Sequence, residues 1–296
     1  MVSGCPYSST ENITLPNSRI FEVGEKLTYQ SDDYDRNAQR HVVPLYIKDN
    51  LGNYEFSSTG TLAKYNGHHY FLFAAHALSR GVSIDRVYTF MTDGSFYQLT
   101  KDAIGYKVFE KDDIAIVDLF NIVFEGKNYF NLNLDGLSGF DKNHFAWIGF
   151  PASKSKSKKV HNSKSKESLT QQYVETGDDG SYFTNAKYYS ICSRLISNNN
   201  AEITGKYVRQ NTSLKYAGAV SMAPHPAGMS GGAMYFFSKN QKLKESIDDT
   251  FRFAGIGIEY RKDNKIIGVP KIRIIELLER FNSEIPLSFE LIENPL

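Results

Sequence analysis

The chain has 296 residues, of which 41% are hydrophobic and 23% are charged, so it can bury a sizeable core and is not globally disordered. Its formal net charge of +1 supplies no bulk electrostatic field, and we expect neither a nucleic-acid partner nor a membrane partner. It has two cysteines, Cys5 and Cys192, and no recognisable signal peptide, which predicts a cytoplasmic protein.

The first part of the chain is typical of a β-rich protein. Residues 1 to about 40 are polar and predict a surface extension with at most a short strand. Asn66-Gly67 lies between two apolar runs, which predicts a hairpin of strands 58–65 and 69–75 with His76 just beyond. The neighbouring runs "HVVPLYIKD", "RVYTFMTD", "SFYQLT" and "DIAIVDLF" continue a pattern of short strands that favours a sandwich or barrel.

The second part repeats this pattern after an interruption. The run "HFAWIGFP" predicts a strand, but residues 153–168 hold six Lys, one Glu and no aromatic residue, which indicates a mobile loop. The loop is either a solvated insertion or a site that recruits an acidic partner or nucleic acid. Further predicted strands are "QQYVETG", "KYYSICSRL", "AEITGKYVRQ", "LKYAGAVSMAP", "GGAMYFFS" and "RFAGIGIEY". The run "VPKIRIIELLERF" predicts a helix with Ile272, Ile274, Ile275, Leu277 and Leu278 on its apolar face.

Three short segments carry residues suited to nucleophilic chemistry. In "HPAGMSGGAMY", Ser230 lies among three glycines, whose bare backbone leaves N–H groups accessible to an oxyanion. A serine needs a base to become a nucleophile, and "FLFAAHAL" places His76 after an apolar strand. "KDDIAIVDL" places Asp113 before another strand, with Asp112 as an alternative acid. Each segment alone is also compatible with an ordinary turn.

Together these segments resemble the motifs of the chymotrypsin-like (trypsin-like) serine protease superfamily. Ala74-Ala75-His76 is similar to its histidine motif, Asp113 to Ile116 to its aspartate motif, and Gly228 to Gly232 to its serine motif. The run "FAWIGFP" resembles the strand that opens the second barrel of bacterial members. The match covers roughly residues 41 to 282 and is closest to bacterial intracellular or Deg/HtrA-type peptidase domains.

The resemblance implies an all-β fold of two antiparallel six-stranded β-barrels with a C-terminal helix. The implied units are an N-terminal extension (1–40), a first barrel (41–140), a second barrel (141–270), and a helix with a tail (271–296). It further implies a serine endopeptidase that acts on a protein or peptide substrate without a cofactor or metal and is regulated inside a bacterial cell. Stand-alone members of this kind also resemble effectors of bacterial defence modules.

The resemblance also assigns roles to single residues. Ser230 would be the nucleophile, His76 the general base and then acid, and Asp113 the group that orients the imidazole. The backbone N–H groups of Gly228 and Ser230 would form the oxyanion hole. The residues implied to bind substrate are Pro224, His225, Gly257, Ile258, Glu259 and Tyr260.

Two departures from the family pattern bear on activation and specificity. Met229 lies where trypsin-type zymogens have an Asp that pairs with a new N-terminus, so the enzyme is either competent as made or activated by a protein partner. Pro224 lies where trypsin has an acid, so a preference for Arg or Lys is not supported. His225 either favours an acidic or amide side chain of the substrate or only packs within its loop.

Other classes fit the sequence less well. An α/β-hydrolase elbow requires a histidine after the serine, and no histidine follows Ser230. The stretch 221–228 superficially resembles a subtilisin serine motif, but Ser221 lacks a preceding Gly-Thr. His68 and His69 are adjacent in a predicted turn and favour a solvated turn over a metal site. The functional alternative that stays open is a catalytically silent pseudo-protease that binds proteins.

Overall fold

The structure, a computed structural model, describes residues 20–23, 26–31, 33–78, 81–91, 95–155, 174–177, 180–183, 188–216 and 219–284. Cys5 and residues 156–168 of the predicted Lys/Ser-rich loop lie outside these residues. The strands, numbered along the chain, are β1 (Ile20–Val23), β2 (Lys26–Ser31), β3 (Val42–Lys48), β4 (Tyr54–Tyr65), β5 (His68–Ala74), β6 (Val87–Phe90), β7 (Phe96–Gln98), β8 (Gly105–Phe109), β9 (Ile114–Phe120), β10 (Phe130–Asn131), β11 (His144–Gly149), β12 (Val174–Gly177), β13 (Gly180–Phe183), β14 (Tyr189–Asn198), β15 (Ile203–Lys206), β16 (Thr212–Tyr216), β17 (Ala219–Met222), β18 (Ala233–Phe237), β19 (Phe251–Tyr260) and β20 (Lys265–Pro270). The α-helices are α1 (Asp33–Gln39), α2 (Ile247–Thr250) and α3 (Lys271–Glu284).

Two large β structures account for most of the described chain. The first is a sheet curled into a half-barrel, with the order β7-β6-β3-β4-β5-β9-β8 and with β10 paired to β4. The second is a closed six-strand barrel with the order β11-β14-β15-β20-β19-β18. The predicted mostly β fold with a C-terminal helix is therefore confirmed. Of the two predicted six-stranded barrels, the second is closed, whereas the first β structure is a curled half-barrel sheet.

The hairpin predicted around Asn66-Gly67 is present. Strands β4 and β5 pair antiparallel from Gly60 with Phe73 to Tyr65 with His68. Asn66 and Gly67 both have positive φ angles, of 48° and 86°, as a two-residue hairpin turn of type I′ requires. The hairpin delivers the end of β5, and with it the residues that precede His76, to one edge of the half-barrel.

The N-terminal segment differs from the predicted surface extension. Helix α1 is packed into the core, with Tyr34, Asp35, Ala38 and Gln39 fully buried. Tyr34 and Ala38 lie four residues apart on one face of the helix, and the Tyr34 hydroxyl donates to the Thr250 carbonyl at 2.8 Å. The sequence prediction missed this helix because its seven residues are mostly polar and carry no strong helical period. Strand β2 also pairs, parallel to β16, in a separate four-stranded sheet β1-β2-β16-β17.

The C-terminal helix is present, with a shifted apolar face. Ile274, Leu277, Leu278 and Phe281 are buried, which is the i, i+3, i+4, i+7 spacing of one helical face. Ile272 was predicted to lie on this face but is 47% exposed, because it falls on the opposite side of the helix. No helix in the described ranges is long and apolar enough to cross a membrane.

Candidate active site

The structure brings His76 and Asp113 together at the rim of the half-barrel, where β5 ends and β9 begins. His76 lies in a short 3-10 helix that follows β5, and Asp113 directly precedes β9, the antiparallel neighbour of β5. Asp113 Oδ2 lies 2.6 Å from His76 Nδ1, and Asp113 Oδ1 accepts the backbone N–H of His76 at 2.7 Å. The carboxylate thus fixes both the position and the orientation of the imidazole. With the proton on Nδ1, the lone pair on Nε2 is available to accept a proton.

Asp113 and not Asp112 is the acid that faces this histidine. Asp113 has a φ of 54°, a left-handed conformation that turns its side chain away from that of its neighbour. Its carbonyl accepts the N–H of Ala75 at 3.0 Å, which ties it to the residue before His76. Asp112 instead pairs with Arg273 of helix α3.

The local electrostatics favour a basic imidazole. Asp113 raises the pKa of His76 above its ordinary value, chiefly through the hydrogen bond that the carboxylate accepts from the ring. Partial burial of the ring acts in the opposite direction. His76 keeps 47% of its side chain exposed, so the ring is accessible from solvent.

An open cavity adjoins this pair on the half-barrel. Its volume is about 650 Å³, and it is bounded by His76 and Asp113. Leu78, Ile84 and Tyr106 contribute apolar walls, and Glu110, Gly81 and Ser83 also line it. It is large enough to take side chains of a bound peptide next to the imidazole.

The serine loop depends on glycines at two tight positions. Gly228 has a φ of 92°, and a Cβ there would lie 2.6 Å from the Ala152 nitrogen. Gly231 has a φ of 86°, and a Cβ there would lie 2.1 Å from the Thr59 carbonyl oxygen and 2.9 Å from the Ala74 nitrogen. Both positions therefore exclude other residues by conformation and by space. The close approach at Ala74 also packs the loop against the strand end that carries His76.

The N–H groups of this loop divide into two sets. Three of them are paired. The Met229 N–H donates to the Pro226 carbonyl at 2.8 Å, and the Gly231 N–H donates to the Gly257 carbonyl at 2.8 Å. The Gly232 N–H donates to the Met229 carbonyl at 2.9 Å. The N–H groups of Gly228 and Ser230 donate to no acceptor within the described residues. These two are the groups that the sequence assigned to an oxyanion hole. A turn with a left-handed glycine and unpaired N–H groups is suited to hold an anion.

Ser230 lies at the centre of this loop but is not yet bonded to the imidazole. Its hydroxyl donates to the Ile258 carbonyl at 3.0 Å, and this is its single hydrogen bond in the described part of the chain. No hydrogen bond joins Ser230 to His76 there. The structure therefore pairs the histidine with the aspartate and places the serine in the loop with the unpaired N–H groups, and no hydrogen bond of the described residues joins the two groups.

The residues before Gly228 form an aromatic corner beside Ser230. Pro224 is buried, and its carbonyl accepts the Tyr207 hydroxyl at 2.7 Å. His225 is exposed, and its ring meets that of Tyr260 edge-on at 5.6 Å. His225 Nδ1 accepts the Ala227 N–H at 3.2 Å. A neutral ring then carries its proton on Nε2, which becomes a hydrogen-bond donor.

The predicted substrate residues on β19 separate into inner and outer members. Gly257 pairs with the serine loop through both its N–H and its carbonyl, and Ile258 accepts the Ser230 hydroxyl. Glu259 is exposed and pairs with Arg261 at 2.9 Å. The backbone of this strand thus lies against the nucleophile, whereas the Glu259 side chain is turned toward Arg261.

A second histidine–aspartate pair lies at the far end of β5. His68 Nδ1 is 2.8 Å from Asp118 Oδ2, and Asp118 is fully buried. His69 instead bonds through Nδ1 with the Phe120 carbonyl at 3.2 Å, so the two neighbouring rings have different partners. Within the described ranges, no three His, Cys, Asp or Glu side chains converge as a metal site.

Sequence reasoning missed the residues that hold the serine loop from outside. Thr59 and Thr61 of β4 are fully buried, and their hydroxyls donate to the Gly228 and Gly231 carbonyls at 3.0 and 2.8 Å. The signal available in the sequence was a pair of hydroxyls two residues apart in "STGTLA", on one face of a strand otherwise rich in apolar residues.

Comparison with known proteins adds no assignment to this site. The chain matches no protein-family model and no curated protein. Function is therefore inferred from the geometry of the His76–Asp113 pair and of the serine loop.

Proposed function

We propose that this protein is a serine endopeptidase that cleaves peptide bonds through Ser230, His76 and Asp113. The observation that carries the proposal is the division of the loop N–H groups. The two that are left unpaired belong to Ser230, whose hydroxyl could attack a carbonyl, and to Gly228, two residues before it. The imidazole that would activate this hydroxyl has its Nδ1 2.6 Å from Asp113 Oδ2, and a carboxylate at this place favours a proton on Nδ1.

In the proposed reaction, Ser230 Oγ attacks the substrate carbonyl carbon while its proton passes to His76 Nε2. The negative charge that develops on the carbonyl oxygen is accepted by the N–H groups of Gly228 and Ser230. His76 then gives the proton to the leaving amine as the C–N bond breaks, which leaves an ester on Ser230. Water, deprotonated by the same imidazole, cleaves this ester and restores the serine. Asp113 stabilises the imidazolium in both halves of the reaction.

This mechanism requires the Ser230 hydroxyl to leave the Ile258 carbonyl. A substrate that lies along β19 would present its own backbone N–H to that carbonyl and free the hydroxyl to turn toward His76. Catalytic hydrogen bonds are often long or misaligned before substrate binds, so the observed rotamer is compatible with this role. The closed barrel, the half-barrel and the C-terminal helix are likewise compatible with a chymotrypsin-like fold, in which the site lies between two barrels.

Reaction with a fluorophosphonate probe tests the proposal. We expect the probe to label Ser230, as located by mass spectrometry, and we expect Ser230→Ala and His76→Ala to abolish labelling. His68→Ala is the matched control, because it removes a histidine from the second pair with aspartate and should leave labelling intact. A folded protein that is not labelled, with or without cell lysate as a source of an activating partner, contradicts the proposal.

The alternative is a pseudo-protease that binds peptides in the same cleft without cleaving them. The bond from Ser230 to the Ile258 carbonyl favours it, since a hydroxyl held there is not activated. Such a protein would retain binding of peptides identified by selection but would neither react with the probe nor cleave those peptides. The two readouts together separate the two functions.

A further inference from the structure

The serine loop is held by its carbonyl groups. In a trans peptide the carbonyl of one residue and the N–H of the next point in opposite directions, so a bond to one fixes the other. The Ala227 carbonyl accepts the Ala152 N–H at 2.7 Å, which directs the Gly228 N–H away from it. The Met229 carbonyl accepts the Gly232 N–H, which directs the Ser230 N–H in the same way.

Thr59 bridges the loop to the segment that carries Ala152. Its hydroxyl donates to the Gly228 carbonyl at 3.0 Å and accepts the Phe150 N–H at 2.9 Å. Its backbone N–H donates to the Ser230 carbonyl at 3.0 Å. The fully buried side chain thus joins β4 to the Phe150 N–H and to the loop at Gly228, and the backbone N–H of the same residue holds the loop at Ser230.

No charged group performs this task from within the loop. Met229, the residue before the serine, is fully buried, and a thioether is only a weak hydrogen-bond acceptor. The bonds that fix the loop therefore come from its backbone and from the neighbouring strands, and Thr59 supplies two of them.

We propose that Thr59 is a positioning residue that holds the Gly228 and Ser230 N–H groups in the orientation that receives the oxyanion. That these N–H groups receive an oxyanion rests on the proposed function. That Thr59 holds the loop rests on the hydrogen bonds described above. Without the hydroxyl, the Phe150 N–H and the Gly228 carbonyl lose their partner. The Gly228–Met229 peptide, which lies between the two unpaired N–H groups, is then held by only one bond of the described residues, from the Met229 N–H to the Pro226 carbonyl. Valine and alanine lack the hydroxyl that bonds with the Phe150 N–H and the Gly228 carbonyl, whereas serine retains it.

Two variants test the inference: Thr59→Val removes the hydroxyl at nearly constant shape, and Thr59→Ser keeps the hydroxyl. Thr89→Val is the matched control. Thr89 is also fully buried in the half-barrel, and its hydroxyl donates to a carbonyl, that of Pro44, at 3.0 Å. Thr59→Ala replaces Thr59→Val if the valine variant does not fold, as judged by circular dichroism.

Two measurements are made on each variant. The first is the rate of fluorophosphonate reaction, separated into the maximal inactivation rate and the probe concentration for half-maximal rate. The second is hydrogen exchange of the peptide that contains Met229, Gly231 and Gly232, whose N–H groups are hydrogen-bonded within the loop or to β19. We expect Thr59→Val to lower the maximal rate about 10- to 100-fold with little change in half-saturation, since removal of a whole oxyanion donor costs about 10²- to 10³-fold. Its loop amides should exchange faster, whereas Thr59→Ser and Thr89→Val should resemble the wild type.

The outcomes separate this inference from the proposed function. Thr59→Val with wild-type exchange and wild-type reactivity overturns the inference, and so does a Thr89→Val variant that loses as much as Thr59→Val. A wild-type protein that does not react with the probe contradicts the proposed function. In that case the exchange measurement still decides whether Thr59 holds the loop.

Discussion

Arg273 of helix α3 binds Asp112, which directly precedes Asp113, the acid that orients His76. Its Nε lies 2.7 Å from Asp112 Oδ1 and its Nη2 lies 3.1 Å from Oδ2, the two-pronged geometry of a guanidinium on a carboxylate. Nη1 also bonds with Glu276 at 2.7 Å. Asp112 and Glu276 hold the pKa of Arg273 above its ordinary value. The C-terminal helix therefore anchors the turn in which Asp113 adopts its left-handed conformation.

Replacement of Arg273 should slow the reaction without unfolding the protein. In Arg273→Met the turn loses its anchor, and Asp113 is held less well against His76, so we expect the maximal rate of probe reaction to fall by about 3- to 10-fold. Arg280→Met is the control, since Arg280 lies on the same helix and packs over the Phe109 ring beside the turn, but pairs with Glu284 at 3.0 Å and not with Asp112. Equal rates in both variants and the wild type would show that the anchor does not reach the site.

The pH dependence of the reaction should report His76. The ring must be neutral to accept the serine proton, so the rate should rise with pH through the His76 pKa, which lies above its ordinary value of 6.5. Asp113→Asn removes the group that raises this pKa, so the acid limb should move to lower pH. The maximal rate should also fall by about 10³- to 10⁴-fold, because the amide no longer enforces the Nδ1–H tautomer.

A neighbouring acid provides the control for this profile. Glu110 is exposed and lines the same cavity, but it is not bonded to the ring. Glu110→Gln should leave the acid limb close to that of the wild type. If Asp113→Asn and Glu110→Gln shift the limb equally, general charge and not the specific hydrogen bond sets the pKa of His76.

The sequence predicted local structure correctly where a short motif is compatible with only one backbone conformation. Asn66-Gly67 predicts its hairpin because few other pairs tolerate two positive φ angles in succession. Helix α1 was not predictable in this way, because it depends on contacts with distant residues. The Tyr34 hydroxyl, for example, donates to the Thr250 carbonyl, 216 positions further along the chain. The exposure of Ile272 has a similar origin, because the broad apolar arc of α3 fits several faces and tertiary packing selects one.

The candidate site was predictable in its reacting groups and not in their supports. His76, Asp113 and Ser230 lie in short motifs whose order could be read directly, and the structure pairs the first two. The Thr59 hydroxyl reaches Gly228 across 169 positions, and the Phe150 N–H reaches Thr59 across 91. Such contacts depend on how the half-barrel meets the closed barrel, which periodicity does not encode.

His41 should make the stability of the protein dependent on pH. The ring is 1% exposed, stacks on Phe130 at 4.1 Å and lies with Nδ1 3.2 Å from the Ala38 carbonyl. Burial lowers the pKa of His41 from 6.5 to about 4. Backbone hydrogen bonds with Ala38 and Asn37 and the charge of Asp248 oppose this shift, and Lys64 supports it. Between these two pKa values the unfolded chain binds a proton that the folded chain does not. The contribution of His41 is therefore complete above pH 6.5 and is lost as the pH falls toward 4.

Urea unfolding of the wild type and His41→Phe measures this contribution. We expect the wild type to lose about 2 kcal/mol more than the variant between pH 8 and pH 5, since each pKa unit corresponds to about 1.4 kcal/mol. The comparison cancels the other groups that titrate in both proteins. Parallel pH profiles would mean that the buried ring is protonated in the folded state.

His225 should select the substrate side chain that precedes the cleaved bond. Its Nδ1 accepts the Ala227 N–H, so Nε2 is a donor, and the exposed ring lies three residues before Gly228. A donor in this place favours a side chain with an oxygen acceptor, and we expect cleavage after Glu or Gln in a peptide library. In His225→Ala this preference should decline by about 5- to 30-fold, because a substrate hydrogen bond is worth about 1 to 2 kcal/mol. His69→Ala, which removes another partly exposed histidine, should retain the wild-type preference. A preference that survives in His225→Ala would leave the ring with a packing role against Tyr260 and place the selectivity elsewhere in the cleft.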